Sequence, residues 1–101
     1  MTIGAFAKWK LEPGAETPPL HGDGATLRQV QVAAGRIATR HSHTHEQFLI
    51  VTAGSGALQS EAGKVTLAPG VVVHLPANAW HSAHFATDTV LIEVNLSEPD
   101  A

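Results

Sequence analysis

Three histidines stand at alternate positions in one short stretch, His41, His43 and His45, with Glu46 and Gln47 directly behind them. Imidazole is the commonest protein ligand for a transition metal. Alternate side chains of a β-strand share a face. If residues 37 to 43 form a strand, His41 and His43 look the same way, about 6–7 Å apart along the chain. That is a chelating pair, and the rest of the chain must supply its scaffold and a further ligand. His45 shares the parity of the pair and is a candidate for substrate contact or acid/base work. Glu46 has the opposite parity and reads as a solvated or interface charge.

Composition narrows the chemistry. The chain has 101 residues, enough for one domain. A folded chain of this size buries roughly 60–65% of its extended surface, so a core is attainable. Apolar residues make up 44% and charged residues 15%, an ordinary globular balance. The net charge of −3 and six scattered Lys and Arg argue against nucleic acid as a partner. There is no cysteine, so any metal must be held by nitrogen and oxygen. A cytoplasmic location fits that absence. No signal-peptide pattern is visible, and no run approaches the ~20 apolar residues that span a bilayer.

The elements that must position the histidines are short. Phe6 and Trp9 lie in a stretch that reads as an edge strand, followed by a Pro- and Gly-rich loop from Pro13 to Gly24. Ala25 to Ala34 alternates as a half-buried strand. Gly35 is a turn or bulge before the strand Ile37 to His43. Phe48 to Thr52 is a continuous apolar run expected to be covered on both faces. Ala57 to Ser60 and Val65 to Ala68 are joined by a turn at residues 61 to 64. Val71 to Leu75 reads as another buried strand, and 76 to 80 as a loop in which Asn78 can take a left-handed conformation. His81 to Phe85 and Val90 to Leu96 complete the strands, and 97 to 101 is a fraying tail. No segment sustains a 3.6-residue period. Short strands with turn signals every 8–12 residues predict an all-β sandwich or barrel. The expected layout is one domain over 1–101, with 1–24 as strand and loop and 25–96 as the barrel.

Two spaced motifs then resemble the cupin superfamily, small β-barrels with a metal bound inside. Gly35, His41, His43, Gln47 and Gly54 match the spacing of the family's first motif, and Gly70, Pro76, Asn78 and His81 that of its second. Asn78 replaces a Gly and Phe85 an Asn of the family pattern. The resemblance implies a single antiparallel jelly-roll β-barrel of six to eight strands. It implies His41, His43 and His81 as metal ligands, with Gln47 where Glu is usual. It also implies one divalent transition metal (Mn, Fe, Ni, Co, Cu or Zn) and a homodimer, to which the N-terminal strand contributes. A subset of small cupins with a similar His-x-His-x-His-Glu-Gln run uses the Gln amide oxygen as fourth ligand.

Three neutral imidazoles and a neutral amide leave the charge of a divalent ion uncompensated, which favours an anionic small-molecule ligand. Gln47 cannot act as a base, so proton transfer must come from elsewhere, with His45 the candidate. His74 and His84 read as hydrogen-bonded core or surface histidines, His21 as a loop residue, Glu93 as structural, and Trp80 and Phe48 as packing or pocket wall. The pattern resembles small cupins that help open unsaturated uronate sugars, which points to a lyase or isomerase on a sugar acid. A dioxygenase and a non-catalytic metal-dependent binding or sensing module are the alternatives.

Overall fold

A computed structural model describes residues 1–6 and 17–97. Among them nine strands follow one another without a helix: β1 (Leu20–His21), β2 (Ala25–Val32), β3 (Ile37–His41), β4 (Gln47–Ala53), β5 (Gly56–Ser60), β6 (Gly63–Leu67), β7 (Val72–Leu75), β8 (His81–Phe85) and β9 (Thr89–Leu96). They form two antiparallel sheets, β1-β2-β9-β4-β7 and β3-β8-β5-β6. The all-β jelly-roll expectation holds. The ladders form two facing sheets rather than one continuous ring, and there are nine strands rather than six to eight. The extra one, β1, pairs Leu20 with Leu27 inside the stretch read as a loop. No strand runs through residues 1–6, so Phe6 is not in one, and Trp9 lies outside the described residues.

The inner faces meet in a core of Val51, Leu58, Leu67, Leu75, Phe85 and Leu91. Alternation places them. In β4, Gln47, Leu49, Val51 and Ala53 are buried while Phe48 and Ile50 are only partly covered. The expectation that this strand is covered on both faces fails, because a two-layer fold of one chain has nothing to lay on its outer side. β7 also alternates, and Val72 is 59% exposed because β7 is an edge strand. Gly54 takes a φ of +98°, open to glycine at little cost. A Cβ there would also come within 2.5 Å of the Asp88 carbonyl oxygen, so position 54 admits no side chain.

Candidate metal centre

The first surprise lies in β3. Its register against β8 runs Ile37↔His84, Ala38↔Ala83 and then His41↔His81, so β3 carries one residue more than β8 between the last two pairs. This is a β-bulge. Strict alternation from the inward-facing Ala38 would turn Arg40 inward and His41 outward. The bulge reverses that and sets His41 opposite His81. Arg40 instead lies over the ring of Trp80, 4.0 Å from its centroid, a cation–π contact beside the two histidines.

The alternating spacing predicts a strand through His43, but the strand ends at His41 and His43 lies beyond it. It sits in the following loop, held by tertiary contact. Asn78, at φ +67°, donates its backbone N–H to the His43 carbonyl at 2.6 Å. The left-handed residue foreseen in the second motif thus anchors a histidine of the first. Ring centroids are 5.0 Å apart for His41 and His43, 4.2 Å for His41 and His81, and 5.4 Å for His43 and His81.

One nitrogen from each of these three rings lies within 4.8 Å of the others. Two nitrogens about 2.1 Å from one ion stand at most roughly 4.2 Å apart, so small side-chain turns bring all three onto a shared ion. The tautomers suit this. His41 donates Nδ1–H to the Thr39 carbonyl at 2.6 Å, and His81 donates Nδ1–H to the Ala79 carbonyl at 3.4 Å. A carbonyl only accepts, so in the neutral form of each ring Nε2 is the nitrogen with the lone pair. Burial, and after it the proximity of His41, holds the pKa of His43 below its usual value, and the same two causes lower His81. Neutral rings are what a cation requires.

Gln47 is buried at 5% exposure, next to this cluster on the cavity wall. Its orientation follows from a relay. Glu93 can only accept, so Asn95 turns its Nδ2 toward Glu93 Oε1 at 3.4 Å. Asn95 Oδ1 then faces Gln47 and takes its Nε2–H at 2.8 Å. The Gln47 amide oxygen is the atom left over for a cation. The donor set therefore fits a divalent metal of the nitrogen- and oxygen-loving kind.

The cavity holds about 300 Å³, at the small end for ligand sites. His41, His43, Gln47 and His81 line it, and so do Glu93, Arg36 and Gln31. Most of the remaining wall is apolar, including Leu49, Leu58, Ala83 and Leu91. Glu93 had been read as structural, yet it shares the inward parity of Leu91 and Asn95 on β9 and touches the cavity. That parity was visible in the chain, but a lone Glu in an apolar strand does not announce which face is inside. A carboxylate here also offsets part of the charge that had been expected to stand uncompensated.

The other candidates lie elsewhere. His45 stacks on His43 with centroids 5.1 Å apart, its Nε2 buried without a hydrogen-bond partner, and it does not line the cavity. Glu46 pairs with His74 Nε2 at 2.5 Å on the outer side of the sheet, both partly exposed, and Phe48 stacks on His74 at 4.8 Å. His84 is exposed, and His21 meets the Thr26 hydroxyl at 3.3 Å.

A jelly roll with three imidazoles converging on a small inner cavity defines a class, and the comparison with known families agrees. The model of the cupin domain matches residues 28–95; the chain belongs to the cupin family. No curated protein matches it. Among solved structures it is similar to KdgF from Halomonas sp., with a TM-score of 0.74 and 25% identity over 91% of this chain and 88% of that one. It is also similar to the DMSP lyase DddQ from Ruegeria pomeroyi DSS-3, with a TM-score of 0.71 and 20% identity over 79% of this chain and 42% of that one. A third is a G106A mutant of salicylate 1,2-dioxygenase from Pseudoaminobacter salicylatoxidans, with a TM-score of 0.67 and 17% identity over 71% of this chain and 21% of that one. The last two likenesses speak to the fold alone.

Proposed function

We propose that this cupin is a metal-dependent enzyme of lyase or isomerase type acting on a compact carboxylic acid. His41, His43, His81 and the Gln47 amide oxygen hold one divalent transition metal in this reading. One observation carries it: the three imidazoles, the oriented amide and the Glu93 carboxylate face the same small cavity. A bound divalent ion supplies Lewis acidity, polarising a substrate carbonyl. Glu93 is placed to accept a proton from the carbon beside that carbonyl and return it after rearrangement, or to keep it until a leaving group takes it. This gives the proton-transfer role to Glu93, with His45 supporting the orientation of His43 through stacking. The apolar wall limits water around the reacting atoms.

Uronate-type sugar acids are the first substrates to test, on the resemblance of the His-His-Gln-His pattern to cupins that open unsaturated uronates. A homodimer accompanies this reading, supported by the half-covered row of Phe48, Ile50, Ile92 and Val94 on the outer face of the five-stranded sheet.

The test is direct. Purified protein is loaded with each divalent ion, and retained metal is measured by elemental analysis. The ultraviolet band of a conjugated unsaturated uronate is then followed. Stoichiometric metal, loss of the band with wild type and no loss with His81→Ala support the reading. Refusal of every ion refutes the metal centre. An unchanged band at high protein refutes the uronate substrate, and binding of acids without turnover favours the sensing module.

A further inference from the structure

The cavity has a second polar end that the metal centre does not use. Arg36 shares the inward parity of Ala38 and lines the cavity beyond Ala38 and Ala83. Five residues of strand at about 3.3 Å each place its Cα roughly 15 Å along the chain from that of His41, somewhat less across the bulge. β2 and β3 lie near the open side of the sandwich, since β3 is an edge strand and β2 is covered only by the two-residue β1.

The guanidinium has no acidic partner: among the described residues no carboxylate forms an ion pair with Arg36. Asp88, in the β8–β9 turn, accepts instead from the Ala34 N–H at 2.9 Å. The backbone at Arg36 is fixed: Gly35 N–H donates to Phe85 O at 2.7 Å, and Phe85 N–H to Arg36 O at 3.0 Å. The guanidinium therefore stands on a rigid base, as an anion-binding group should.

We propose that Arg36 forms an anion subsite for the end of the ligand remote from the metal. The ligand class that fits is a small acid with two oxygen-rich ends: one meets the histidine cluster, and an anionic one meets Arg36. An apolar middle lies along Leu58, Ala83 and Leu91. This rests on the metal-centre reading above and specifies its substrate.

The experiment separates the two readings. Ion binding by the metal-free protein is titrated first, with zinc, nickel and manganese. The loaded protein is then titrated calorimetrically at low salt with adipate and with hexanoate. Adipate is expected to bind at least about tenfold tighter, as one charged hydrogen-bonded contact allows. Arg36→Gln should abolish the preference, and Arg36→Lys should keep part of it. Arg36 is exposed, so both variants fold, which thermal unfolding verifies. If no ion binds, both readings fall. If an ion binds but adipate shows no advantage, neither acid binds, or Arg36→Gln keeps the preference, only the anion subsite is overturned.

Discussion

Replacing Asn95 tests whether the Gln47 amide is held in one orientation. In Asn95→Ala the Gln47 Nε2 loses its acceptor at 2.8 Å while remaining on a side chain only 5% exposed. A buried donor left without a partner costs about 1–3 kcal/mol. In a domain of this size each kcal/mol moves Tm by about 4–8 °C. The amide is then free to flip its nitrogen toward the cation, and loss of such an outer partner lowers metal affinity about 10–100-fold. Asn95→Asp is the control. It keeps the acceptor for Gln47 but turns the 3.4 Å contact to Glu93 into one between two carboxylates, so its stability should fall while its hold on the metal does not. It also adds negative charge near the ion, so it should hold metal at least as tightly as wild type. Competition with a chromophoric chelator gives the affinities, and denaturant unfolding gives the stabilities. Equal losses of metal affinity in both variants would show that Asn95 matters for reasons other than orienting Gln47, and no such loss in Asn95→Ala would mean Gln47 needs no orienting.

Three further outcomes are expected. Gln47→Glu adds a negative charge to the shell, so it should retain metal and weaken binding of a carboxylate ligand; equal or tighter carboxylate binding would contradict the charge argument. His43 and His81 titrate below their usual value of about 6.5, so the unfolded chain takes up protons that the folded rings refuse. Their contribution to stability is therefore present above pH 6.5 and declines as pH falls below it; urea unfolding of the metal-free protein across that range should show this, and a flat or opposite dependence at both His43→Leu and wild type would count against it. Gly54→Ala combines a left-handed φ with a clash against Asp88 and should cost roughly 2–5 kcal/mol. Gly35→Ala, at φ +84° with open space around its Cβ position, carries only the strain and should cost less by denaturant unfolding.

Much of the architecture was legible in the chain. Alternating apolar residues, turn glycines and the absence of helical period placed strands close to their observed limits from Ala25 onward, because short half-buried strands leave their parity in the sequence. Buried status was harder to read. Phe48, Ile50 and Val72 look like core residues by type, yet a single chain of two layers leaves their faces uncovered. The residue types of the site, and the spacing of His41, His43, Gln47 and His81, were also visible.

The chain alone determined which ligand-bearing residues exist and that the fold is all-β. Only the tertiary structure decided how they meet. A bulge, which no alternation pattern reveals, turns His41 inward; the Asn78 N–H from a distant loop fixes His43 past the end of its strand. Glu93 and Arg36 come to one cavity from the two different sheets, and which faces meet depends on the register of each strand with partners far apart in sequence rather than on any local preference.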